Sequence, residues 1–338
     1  MVVLHVYGKI SPICISQKLG LFISNLPTED DNNWKEDLKQ ELQYMETVDE
    51  LERARLGISK KSQITELYEK IYPGSEKPTS ISAMAHAIAD KMICMYFRYE
   101  YDDMPLGGWE TNCFDGRFCE EDYAEKIIDL MSFLSYPADG VLFPASVQWV
   151  YSSNHDEINH CRIFWGGDGA EAYIEELKKW GKLFDDFLQV ENDYYLFDFI
   201  CNALHNDNEY SVYHLLKAYS LCQLFLEDER EAELDKKLPE FLDSSYSIAE
   251  REKIAICFRQ IRNKIAHGDF IEFNKKIEEY TKQFMDGHFD FDYSEYSRQN
   301  WAISNICCAL DDALRKMLFM LFTNRTKLEQ IKKAVNKH

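Results

Sequence analysis

The chain has 338 residues, 46% of them hydrophobic and 14% aromatic, which is enough apolar material for two domains with their own cores and excludes a disordered chain. A net charge of −21 excludes broad, sequence-independent adhesion to nucleic acid or anionic membrane, because such binding rests on Lys and Arg neutralising phosphates. The ten cysteines form no CxxC pair and no secreted-type framework, and no leader pattern or apolar run of roughly 18–20 residues is seen; a soluble, cytoplasmic protein with free thiols is expected.

Residues 2–7 (VVLHVY) are a β-rich run closed by Gly8, and 10–23 carry mixed signals worth one or two further strands. An amphipathic helix is predicted over 34–56, where Leu38, Leu42, Met45 and Leu51 recur near a 3.6 period and should face a core. A short helix over 64–71 runs up to the Tyr72-Pro73-Gly74-Ser75 turn. The apolar stretch 82–99 reads as the central helix of this half, with His86 as a satisfied core histidine. A loop over 102–116 and a helix over 123–134 follow, then a β-hairpin from 146–151 and 161–165. The Gly166-Gly167-Asp168-Gly169 turn opens a helix over 170–188; without a Walker Lys or G-x-G-x-x-G spacing it reads as ordinary cap chemistry.

From 194 onward the pattern is helical throughout: 194–203, 210–226, a short piece around 232–242, a helix over 254–265, then 272–285 and 300–322. The expected fold is therefore mainly α, α+β overall, with a mixed domain over 1–190 and an antiparallel helical bundle over 191–338. Cys113, Cys119, His155, His160 and Cys161 match no common zinc spacing, so no metal and no cofactor is expected. Acidic doublets such as Asp102-Asp103, Asp185-Asp186 and Asp311-Asp312 are ordinary solvated faces in a chain with 59 acidic residues. Tyr280, Phe284, Phe289, Phe291, Tyr293 and Tyr296 are dense enough to stack bases, though bundle packing is the commoner use.

The helix over 254–265 holds the candidate chemistry. Ile254, Phe258, Ile261 and Ile265 form its buried stripe, and Gly268 is where it should stop, because Gly takes a left-handed conformation without a Cβ clash. Arg259, Arg262, Asn263 and His267 lie off that stripe, with Asn263 and His267 four residues apart on one face. Residues 251–267 carry five basic side chains and one acidic, against the sign of the whole chain. An Arg beside a His offers a phosphate clamp and a proton carrier.

Arg262-Asn263-Lys264-Ile265-Ala266-His267 resembles the R-x(4–6)-H motif of the HEPN superfamily of small helical domains, many of which are metal-independent endoribonucleases of prokaryotic defence and toxin–antitoxin systems. The resemblance covers roughly 190–325. It implies a homodimer in which two motifs face one groove, with His267 as general base or acid, Arg262 neutralising the phosphate, Asn263 orienting either, and Arg259 and Lys264 holding RNA. A non-catalytic module that engages an antitoxin or another defence-system protein is the alternative it implies.

Overall fold

The computed structural model describes residues 2–25, 34–57, 61–97, 123–135, 149–150, 170–191, 193–205, 210–227, 234–285 and 295–334. The chain separates into two compact units, Met1–Asn206 and Asp207–His338, so the division falls beyond residue 190 and the helix Tyr194–Leu204 belongs to the first unit. Among the described residues the protein is mainly helical, with its strands confined to the first unit. No helix there is long and apolar enough to cross a membrane.

The first unit is built on an antiparallel sheet in the order β2-β3-β4-β1-β5, from β1 (Val2–Tyr7), β2 (Ile13–Ser16), β3 (Leu21–Asn25), β4 (Met92–Phe97) and β5 (Trp149–Val150). Among the described residues three helices intervene between β3 and β4: α1 (Trp34–Leu56), α2 (Gln63–Ile71) and α3 (Ile81–Ala89). The predicted single helix over 82–99 is thus a helix followed by the sheet's central strand. Asp90 and Lys91 make the turn, and Met92, Ile93 and Met95 are buried; the continuous apolar run of a covered strand is indistinguishable by hydropathy from a buried helix, which is why the expectation fails here.

Two further expectations fail here. His86 is exposed, with Nε2 3.6 Å from the carboxylate of Asp90 one turn on, because α3 turns Met84, Ala85 and Ile88 inward instead. Leu51 of α1 is 67% exposed, as are Tyr44 and Leu56 to similar degrees, while Glu46 is buried near Arg53. The polar loop over 102–116 and the strand over 161–165 lie outside the described residues, as do Cys113, Cys119, His155, His160, Cys161 and the Gly166–Gly169 turn. Trp149–Val150 pairs with β1.

Helices α4 (Tyr123–Ser135), α5 (Ala170–Glu191) and α6 (Tyr194–Leu204) complete the unit. Gly181 lets α5 lie against β2: a Cβ there would fall 1.9 Å from the Ile15 carbonyl oxygen. Asp185, one turn on, accepts from the Ser16 hydroxyl and from the backbone N–H groups of Gln17 and Lys18 at 2.9 Å each, which fixes the turn after β2. Asp185 is therefore a structural acceptor rather than the simply solvated carboxylate expected.

The second unit contains α7 (Val212–Leu226), α8 (Leu234–Lys237) running into a 3-10 turn (Leu238–Glu240), α9 (Ile248–Ala266), α10 (Phe270–Phe284) and α11 (Glu295–Lys333). α7 and α11 pack along their lengths, burying Leu221, Cys222, Leu310, Leu314 and Leu318. A buried pair crosses this seam, His214 Nε2 at 2.9 Å from Asp311 Oδ1, so Asp311 is buried and partnered, contrary to the solvated face expected for its doublet. The helical path of α11 outruns its predicted end at 322 but breaks at Asn324 (φ −157°, ψ 67°), whose side chain accepts from the Lys327 N–H and caps the helical segment that follows.

Candidate functional site

The motif sits on the last two turns of α9. Ser247 and Glu250 start that helix with a reciprocal capping box, and the Ser247 hydrogen bonds hold the Glu250 carboxyl below its ordinary range. Ile254, Phe258, Ile261 and Ile265 are buried as their spacing predicts. At the far end Gly268 adopts φ +70°, its N–H donates to the Ile265 carbonyl at 3.0 Å, and the Asp269 N–H donates to that of Lys264 at 2.9 Å. This is a Schellman ending with His267 as the C-cap residue, and it leaves the His267 ring exposed at the helix end.

Arg262 has the most constrained side chain of the motif. One guanidinium nitrogen donates to Gln223 Oε1 at 3.0 Å, the other to Asn263 Oδ1 at 3.1 Å, and the group lies 5.5 Å from the centre of the Tyr219 ring. Tyr219 and Gln223 of α7 and its C-cap residue Glu227 follow one another at intervals of four. Gln223 in turn donates its amide to Glu227 Oε2 at 3.0 Å, and Glu227 Oε1 accepts from the Leu234 N–H at 3.1 Å. The guanidinium is thus aimed by two neutral amide oxygens, and the Glu227 carboxylate stands one hydrogen bond further on, behind Gln223. Burial pushes the Tyr219 phenol up, reinforced by Glu227 and Asp235 and opposed by Arg262 and Arg259, so the ring stays neutral and serves as a cation–π platform.

The other basic residues have different surroundings. Arg259 pairs with Asp235 at 3.0 Å, and Lys264 with Asp269 at 3.0 Å; the latter contact holds the Asp269 carboxyl below its usual range. Asp269 also caps α10 through the Glu272 N–H, so Lys264 fastens the α9–α10 turn. The structure therefore brings Arg262 and Asn263 into contact, places His267 at the same helix end, and gives Arg259 and Lys264 carboxylate partners. Phe270 and Ile271, the first residues of α10 after that turn, are largely exposed.

Sequence reading missed Tyr219, Gln223, Glu227 and Asp235. For the first three the signal was available only as a stripe of period four along α7 and its cap, with nothing to say what would face it, and Asp235 on α8 carried none. The aromatic cluster resolves in part: Tyr280 is buried, its hydroxyl donating to Asn305 at 2.6 Å and its ring 5.8 Å from Phe258, and Phe284 packs against it. These two are packing residues. Phe289, Phe291 and Tyr293 lie outside the described residues. Among the described residues no group of three His, Cys, Asp or Glu is placed to hold a metal. No family model, curated protein or solved structure matches the chain.

Proposed function

We propose that the protein is a metal-independent endoribonuclease of HEPN type, acting as a homodimer in a prokaryotic defence or toxin–antitoxin setting. The observation that carries this reading is Arg262: a half-buried guanidinium oriented by neutral amides rather than spent on a carboxylate, at the same helix end as the exposed His267. An arginine so held keeps its charge for an incoming phosphate and needs little reorganisation to receive one.

In this mechanism the 2′-oxygen of the RNA attacks the adjacent phosphorus while one His267 takes its proton. Arg262 offsets the charge growing on the non-bridging oxygens, with Asn263 and Gln223 fixing the guanidinium plane. The 5′-oxygen leaves with a proton from the second protomer's copy of His267, giving a 2′,3′-cyclic phosphate and a 5′-hydroxyl. The test is cleavage of total RNA in EDTA by wild type, His267→Ala and Arg262→Ala, with oligomeric state measured on the same samples. The expected loss for His267→Ala is roughly 10²- to 10⁴-fold, the usual worth of a general acid–base. Activity that dies with chelator, or survives in full in a monomer, would sink the reading.

The exposed pair Phe270 and Ile271 beside His267 favours a second reading, a non-catalytic module that docks a protein partner such as an antitoxin through this end of the unit. A stoichiometric complex lost in Ile271→Asp, with no cleavage by wild type in any state, would decide for it.

A further inference from the structure

We infer that the basic segment at the end of α11, beyond the break at Asn324, is a second phosphate-contacting surface for the same RNA; the inference rests on the ribonuclease reading above. Residues 325–333 carry four basic side chains and one acidic. Two independent contacts tie this segment to the elements that hold the motif. Lys332 Nζ donates to the Leu224 carbonyl at 2.9 Å, on the helical turn of α7 whose Gln223 orients Arg262. From the other side Lys237 of α8 donates to the Lys332 carbonyl, and α8 also supplies the Asp235 that pairs with Arg259. The two basic segments therefore adjoin through α7 and α8.

The exposed positions of the segment indicate the partner. Thr326, Lys327, Gln330 and Lys333 face solvent, and none is a large apolar residue. A protein interface centres on apolar or aromatic anchors, whereas a polyanion is held by cations on a hydrated surface. Lys333 is 70% exposed and reaches only to 3.8 Å from Glu329, so its charge is available to a phosphate. A strand bound with one phosphate at Arg262 would extend past α8 onto this surface, which would select long RNA over short.

The test uses the full chain and two substrates. Binding of a labelled, uncleavable 2′-O-methyl oligouridine of about 20 nucleotides is followed by anisotropy across salt, and cleavage of a dinucleoside phosphate is measured alongside. The Lys327→Ala/Lys333→Ala variant should bind the oligonucleotide about tenfold more weakly, with a salt slope shallower by about 1.4, the share of two phosphate contacts on a single strand. Its dinucleotide cleavage should match wild type. Unchanged affinity and slope, or no oligonucleotide binding by wild type, would overturn the surface. If wild type binds the oligonucleotide through these lysines but does not cleave the dinucleoside phosphate, the surface stands and the ribonuclease reading falls; if that cleavage is intact and the lysines are silent, the reverse holds.

Discussion

The two units differ most in charge. Residues 1–206 hold 18 basic and 36 acidic side chains, a net −18, whereas 207–338 hold 20 and 23, a net −3. A whole-chain charge of −21 suggests a molecule that repels RNA everywhere, yet nearly all of that surplus belongs to the unit without the motif. Electrostatic repulsion is screened beyond about 8–10 Å at physiological salt, so the charge to weigh first against a phosphate at the motif is that of the unit that carries it. Net charge constrains a partner only when it is assigned to the surface that does the binding.

The units also differ in how they are fastened, and this sharpens the comparison. Gly181→Ala would drive a Cβ into the Ile15 carbonyl and should destabilise the first unit by about 3 kcal/mol or more, read as an early unfolding transition, while oligonucleotide binding by the second unit persists. A single transition that abolishes both would break the comparison. His214→Phe leaves Asp311 buried without its 2.9 Å partner and should cost the second unit about 2–3 kcal/mol, with the first unit's transition unmoved. Gly268→Ala forces a side chain into a conformation at φ +70° and should cost about 1 kcal/mol, with a larger fall in any cleavage activity than in melting temperature, because it moves His267.

The smallest effect is a pH dependence of the α9–α10 turn. Because the Lys264 hydrogen bond and the α10 cap depress the Asp269 carboxyl in the folded state, its contribution is present above the unfolded carboxylate range, about pH 4, and is lost as pH falls through the folded value. Asp269→Asn should flatten that acid limb, measured as the difference between the two proteins' acid titrations of helicity. An identical limb in both would remove Asp269 from the account.

By itself the sequence determined the helical second unit, the buried stripe of α9 and its stop at Gly268. Each of these rests on interactions within a few residues, where spacing and glycine geometry are decisive. It misjudged 82–99 and Leu51, because a doubly covered strand is as apolar as a buried helix and an amphipathic face does not say which side finds a neighbour. Tertiary structure alone decided the surroundings of the motif: Gln223 and Tyr219 on Arg262, Asp235 on Arg259, and the end of α11 beside both. Those partners lie tens of residues away, and their pairing follows from how α7, α8, α9 and α11 pack, which no local pattern encodes.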